Sequence, residues 1–156
     1  VCFLLARYTI FNMLYKDYVR SITGCPFCDV TEGVFVENEH AYLTYAKAPY
    51  HEDHLLVIPK RHVLRILELE PYEQTAIDEL VREALRALDI IGEGHYSVLV
   101  RDGKADGNNK SVDHLHFHVV PGVRLGDLDH QGNEREVLND EGMRRVVDRF
   151  SKVFRK

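Results

Sequence analysis

The run Asp113-His114-Leu115-His116-Phe117-His118-Val119-Val120-Pro121 limits what this chain can fold into more than any other stretch. Its histidines alternate with apolar residues, and side chains two apart in an extended chain share a face. The spacing therefore predicts a strand with imidazoles on one face and Leu115, Phe117 and Val119 on the other, anchored on a core. A helix would scatter the three rings. At a rise of about 3.3 Å per residue they would stand roughly 7 Å apart. Such a surface suits either a metal ion or nucleophilic chemistry at an imidazole nitrogen.

A chain of 156 residues is long enough to bury a core as one domain without covalent staples, and it shows no repeat, low-complexity tract or linker. With 45% apolar and 29% charged residues and a formal net charge of -5, it reads as globular. It has no basic face for nucleic acid, so an anionic ligand would need a local positive site. Three cysteines, two of them in Cys25-x-x-Cys28, are too few and too clustered for a secreted disulfide framework; a reducing, cytoplasmic setting is expected. The opening Val1 to Phe11 is apolar but brief, interrupted by Arg7 and without a cleavage pattern, which makes a poor signal peptide. No run reaches the roughly 18 apolar residues of a membrane span. Because the chain opens on Val1, an earlier piece is missing or translation starts at Met13.

Phe11, Leu14, Tyr15, Tyr18 and Val19 share a helix face, predicting an N-terminal helix over 11–22 that stops near Gly24. Residues 34–37 and 41–46 read as strands of a hairpin about the turn Asn38-Glu39-His40, and 54–58 as a third strand closed by Pro59. Pro71 starts the longest helix, whose apolar stripe from Ile77 to Ile91 ends near Gly92 and Gly94. Residues 95–101 form another strand, and the polar loop 102–111 runs directly into the histidines. After Gly122 the chain is polar and loose until Asn139 or Asp140 caps a last amphipathic helix over about 138–154.

The Cys25-x-x-Cys28 pair follows a helix and precedes a hairpin, the wrong order for a thioredoxin-like dithiol. As half of a closed zinc site it needs two histidines. His54, at the mouth of a strand, and His114 are the best candidates, with His51 an alternative fourth ligand. Such an ion would be structural and would leave His116 and His118 for catalysis. The rival is an open ion on His114, His116 and His118 that activates water.

His114-Leu115-His116-Phe117-His118-Val119-Val120 resembles the signature of the histidine-triad (HIT) superfamily of nucleotide hydrolases and transferases. His54-Leu55-Leu56-Val57-Ile58-Pro59-Lys60-Arg61-His62, Ser111-Val112 and Cys25-Pro26-Phe27-Cys28 resemble further blocks of its zinc-bearing branch, so the likeness spans roughly Cys25 to Pro121. It implies a single α+β domain with a HIT-like fold: an antiparallel sheet of about five strands, one long helix packed on it, and flanking N- and C-terminal helices. It also implies a homodimer, and structural zinc on Cys25, Cys28, His54 and His114. The activity implied is attack by His116 on the α-phosphorus of a nucleoside phosphoramidate or dinucleoside polyphosphate through a nucleotidyl-histidine. His118 and Ser111 would assist catalysis. Phe27, Lys110, Ser111 and His118 would bind the nucleotide.

Some positions depart from the family pattern. Asn109-Lys110-Ser111 stands where Gly-Gln-Ser is common, in a segment about two residues longer. A lysine there would suit a more anionic leaving group such as a polyphosphate. Ala46 replaces a ribose-binding Asp or Asn, and Asp53 replaces a glycine. These changes keep a second function in view, a nucleotide-binding scaffold with little turnover. His40, His51, His62, His95 and His130 are expected to be surface or loop residues.

Overall fold

The structure, a computed structural model, describes residues 13–92, 94–105, 110–122 and 136–154. Helix α1 (Tyr15–Ser21) leads to strands β1 (Val34–Glu37), β2 (Ala41–Tyr45) and β3 (Leu55–Pro59). Helix α2 (Pro71–Ile91), strands β4 (Tyr96–Val100) and β5 (Phe117–Pro121) and helix α3 (Asp140–Phe154) follow. All strand pairs are antiparallel, in the order β1-β2-β3-β5-β4, which is the HIT-like α+β fold.

Local chemistry sets the element ends. The Asn38 side-chain oxygen accepts from the amides of His40 (3.1 Å) and Ala41 (2.9 Å), which closes the β1–β2 hairpin over the expected turn. Pro71 opens α2 beside a capping box of Glu70 and Glu73, and Gly92 ends it at φ 96°, a conformation that favours glycine. Asn139 accepts from the Gly142 amide at 2.8 Å and caps α3. Residues 11 and 12 of the expected N-terminal helix, and the polar stretch 123–135, lie outside the described residues.

The sheet has two different faces. Leu43, Leu55, Val57 and Val119, all at 0% exposure, pack against Leu80, Ala84 and Leu88 of α2 and Val146 and Phe150 of α3. On the other face Tyr42, Ala46, Leu56 and Ile58 meet Phe27, Val30 and Val34. Helices thus cover one face, and the segment carrying the cysteines covers the other. Among the described residues no helix is long and apolar enough to cross a membrane.

Phe150 holds α3 to the sheet, with its ring centroid 5.5 Å from that of Phe35 on β1. Because it is fully buried, Phe150→Ala should cost about 3–5 kcal/mol of unfolding free energy in urea titrations. A loss under about 1 kcal/mol would show that α3 does not pack as described.

Candidate active site and metal cluster

The histidine run is extended, but only its second half is laddered. His118 lies in β5, paired with Leu56 of β3 and Leu99 of β4, while His114 and His116 precede the strand. The His116 and His118 ring centroids are 4.8 Å apart, closer than ideal alternation gives. His116 is 6% exposed, and its Nδ1 lies 2.7 Å from the carbonyl oxygen of His114. A carbonyl can only accept, so Nδ1 carries the proton and the lone pair sits on Nε2. Burial pushes the His116 pKa down to about 4, against the opposing bond to the His114 carbonyl, with Lys110, His114 and Arg101 adding to the fall. The ring is a neutral base at physiological pH.

His54 is not with the cysteines. It precedes β3, and because β3 runs antiparallel to β5, that end of β3 meets the middle of β5. There His54 Nε2 lies 2.9 Å from His118 Nδ1, while the Tyr50 amide donates to His54 Nδ1 at 3.2 Å. An accepting Nδ1 puts the His54 proton on Nε2, which donates to His118 Nδ1. The His118 proton then sits on Nε2. The expected fourth ligand is therefore a partner of the third triad histidine.

His62 takes its place. The far end of β3 runs past His114, and His62 follows it by three residues. One ligand atom from each of Cys25, Cys28, His62 and His114 lies within 4.8 Å of the others, a group that could hold a metal ion. Cys25 and Cys28 Sγ stand 3.3 and 3.6 Å from His114 Nδ1, and Cys28 Sγ stands 3.2 Å from His62 Nδ1. Metal–sulfur bonds of about 2.3 Å and metal–nitrogen bonds of about 2.0 Å at tetrahedral angles call for separations near 3.5 Å. His114 Nε2 donates to the Pro59 carbonyl at 2.8 Å, which turns its Nδ1 lone pair to the thiols. His51 belongs to the turn before β3, where its Nδ1 accepts from the Asp53 amide at 3.1 Å.

The turn that carries His62 is fixed next door. Arg61 forks onto Glu73, Nε to Oε1 at 2.8 Å and a terminal nitrogen to Oε2 at 2.6 Å, and donates to the Glu68 carbonyl at 2.6 Å. Glu73 also accepts from the Glu70 amide in the α2 capping box. Helix α2 and the turn that carries His62 are thereby joined through one guanidinium.

His116, His118, Phe27 and Ser111 line one cavity of about 260 Å³. Phe27 sets its ring at 66° to His116, centroids 5.2 Å apart, and at 81° to His114, 5.9 Å apart. Lys110 also lines the cavity, yet its ammonium donates to the Gly103 carbonyl at 2.6 Å and the Leu64 carbonyl at 3.3 Å, and burial lowers its pKa. In this structure it ties down the loop before Ser111. Arg101, which sequence reasoning missed, lines the cavity as well: extending the β4–β5 register one step beyond Val100 and Phe117 brings it opposite His116. Ala46 is in the wall, where its methyl offers no hydrogen bond.

A buried imidazole triad beside a two-cysteine, two-histidine cluster on this sheet defines the class. The HIT domain profile matches residues 29–125, and the chain belongs to the HIT family. An adenosine 5'-monophosphoramidase of Schizosaccharomyces pombe is 34% identical over 103 residues, covering 63% of this chain and 74% of that protein. A zinc-bound histidine triad family protein from Mycobacterium smegmatis superposes with TM-score 0.60 at 25% identity, covering 83% of this chain and 95% of that one. Diadenosine triphosphate hydrolase of Plasmodium falciparum shares the fold, with TM-score 0.64 at 19% identity over 81% of this chain and 79% of that one.

The Arg61–Glu73 fork makes stability near the cluster sensitive to acid. The hydrogen bonds from Arg61 hold the Glu73 carboxyl below its ordinary value of 4.5, against an opposing burial cost. A depressed native pKa contributes stability that is complete above the ordinary value and lost as pH falls through the native one. Glu73→Gln should therefore melt below wild type at pH 7, and the gap should shrink as the pH is taken below 4.5. A gap unchanged with pH in thermal melts would contradict the pairing.

Proposed function

We propose that this chain is a nucleotide hydrolase or nucleotidyl transferase in which His116 Nε2 attacks the α-phosphorus of a nucleoside phosphoramidate or dinucleoside polyphosphate. The observation that carries the reading is the buried His116 ring in the cavity, its Nδ1–H held by the His114 carbonyl. That bond leaves Nε2 as a fixed nucleophile. Attack forms an N–P bond and breaks the bond from phosphorus to the amine or phosphate, which takes the proton of His118 Nε2 as it leaves. Water then cleaves the N–P bond, returns a proton to His118 and releases the nucleoside monophosphate, or another acceptor takes the nucleotidyl group in the same way. Ser111 is placed to hydrogen-bond a phosphate oxygen. Phe27 supplies an apolar wall for the base.

In the same reading Cys25, Cys28, His62 and His114 hold a zinc ion. Two thiolates and two imidazoles would fill the four positions such an ion takes in closed sites, so it would serve structure and leave no place for water or substrate. The rival, an ion on all three triad histidines, has no support in the geometry: His114 Nδ1 faces the thiols, His116 Nδ1 a carbonyl and His118 Nδ1 another histidine. A reducing, cytoplasmic setting would keep both thiols available as ligands. Assembly as a homodimer is part of the proposal, supported by β4 standing at a sheet edge with Val98 47% exposed.

Two experiments test this. Wild type mixed with adenosine 5'-phosphoramidate should release AMP, and His116→Ala should be slower by more than about a thousandfold. Acid-quenched wild type should carry AMP on His116 by mass spectrometry, and equal rates for the two proteins would remove the nucleophile. Metal analysis of purified protein should find about one zinc per chain. His62→Ala should lose it and His54→Ala should keep it; the reverse pattern would restore His54 as the ligand.

A further inference from the structure

Asp53 is buried at 0% exposure, directly before His54, whose ring meets that of His118. Its carboxylate receives the Arg149 guanidinium from helix α3, and Arg149 also reaches the Glu52 carboxylate at 3.3 Å. Helix α3 begins at Asp140, beyond the residues 29–125 matched by the HIT domain, and Arg149 does not line the cavity. We propose that α3 positions the active site: the Arg149–Asp53 pair holds the 50–54 turn so that His54 meets His118, and turnover depends on a residue that never touches substrate. The inference rests on the phosphoryl-transfer reading above.

The physical reason is the cost of a buried carboxylate. An ionised group out of water must be paired, and removing one partner strands the other charge. Asp53 can regain water only if its turn lifts off α3. That turn is tight: the His54 amide donates to the His51 carbonyl at 3.0 Å, the Asp53 amide to the His51 ring at 3.1 Å, and the Tyr50 amide to the His54 ring at 3.2 Å. It therefore moves as a unit, carrying His54 away from the 2.9 Å contact that fixes which nitrogen of His118 holds the proton. A shift of about 1 Å in such a group is enough to cost on the order of a hundredfold in rate.

The test uses the full chain with Arg149→Met, which keeps the apolar stem and removes the charge, and with the double variant Asp53→Asn/Arg149→Met, which removes both charges. On adenosine 5'-phosphoramidate, Arg149→Met should lower kcat about 10- to 100-fold with KM within about threefold. Arg149→Lys should stay within about threefold of wild type, and the double variant should recover much of the loss because no charge is stranded. Ring nitrogen-15 resonances of His54 and His118 should shift in Arg149→Met. Should that variant fail to fold, Arg149→Gln is read the same way. A lower melting temperature with kcat and both ring resonances unchanged would make the pair merely structural and overturn the proposal. If wild type turns over no phosphoramidate or dinucleoside polyphosphate, the proposed function falls by itself. The ring resonances need no substrate and would still decide whether α3 sets the His54–His118 contact.

Discussion

The antiparallel pairing of β3 with β5 is the constraint on which the site depends. Leu55 opposite Val119 and Val57 opposite Phe117 pin the register, and a slip by one residue would turn every side chain to the other face. With that register fixed, the residue before β3 arrives beside His118 and the turn after it arrives beside His114. One strand pair therefore serves two sites, a histidine contact at one end and a thiol-lined cluster at the other. The apolar face of the same pair, Leu55, Val57 and Val119, is buried under α2. Core packing thus sets the spacing of the polar groups on the opposite face.

Much of this was legible in the sequence because it is local. The strands, the long helix with its proline start and glycine stop, the Asn38 turn and the Asn139 cap all follow from residues within a few positions of one another. The histidine alternation predicted an extended segment, and the Cys-x-x-Cys pair pointed to two histidines, which the structure places beside it as His62 and His114. His62 was missed because its assignment is not local. The first histidine of the block was matched to the first histidine of the triad, whereas antiparallel strands join the end of one to the start of the other. Given the strand direction, the sequence already placed His62 near His114, so the signal was present in topology rather than in spacing.

The polar departures from the family pattern needed coordinates for a different reason. Asp53 makes sense only once Arg149 is seen 96 residues away, and no periodicity links the two. Lys110, standing where glutamine is common, suggested a contact to an anionic leaving group, but a buried ammonium seeks the nearest acceptors, here the carbonyls of Gly103 in its own loop and of Leu64 after β3. Arg101 follows an unremarkable strand, and only the β4–β5 register carries it to a point opposite His116. In each case the charge was visible and its partner was not.

His114 joins the cysteine–histidine cluster to His116 within a single residue. Its Nδ1 faces the thiols, its Nε2 donates to the Pro59 carbonyl, and its own carbonyl accepts the proton of His116. Its backbone amide is held in turn by the Val112 carbonyl at 2.8 Å. With the ring held at both nitrogens and the backbone amide held as well, the His114 residue has little freedom to shift, and its peptide supplies the acceptor that selects the His116 tautomer. An ion in the cluster would thus act on the reaction without contacting a reacting atom, by removing freedom from the acceptor. The alternation of histidines follows from this arrangement, since the residue between them, Leu115, points into the core at 0% exposure and anchors the peptide from the other side.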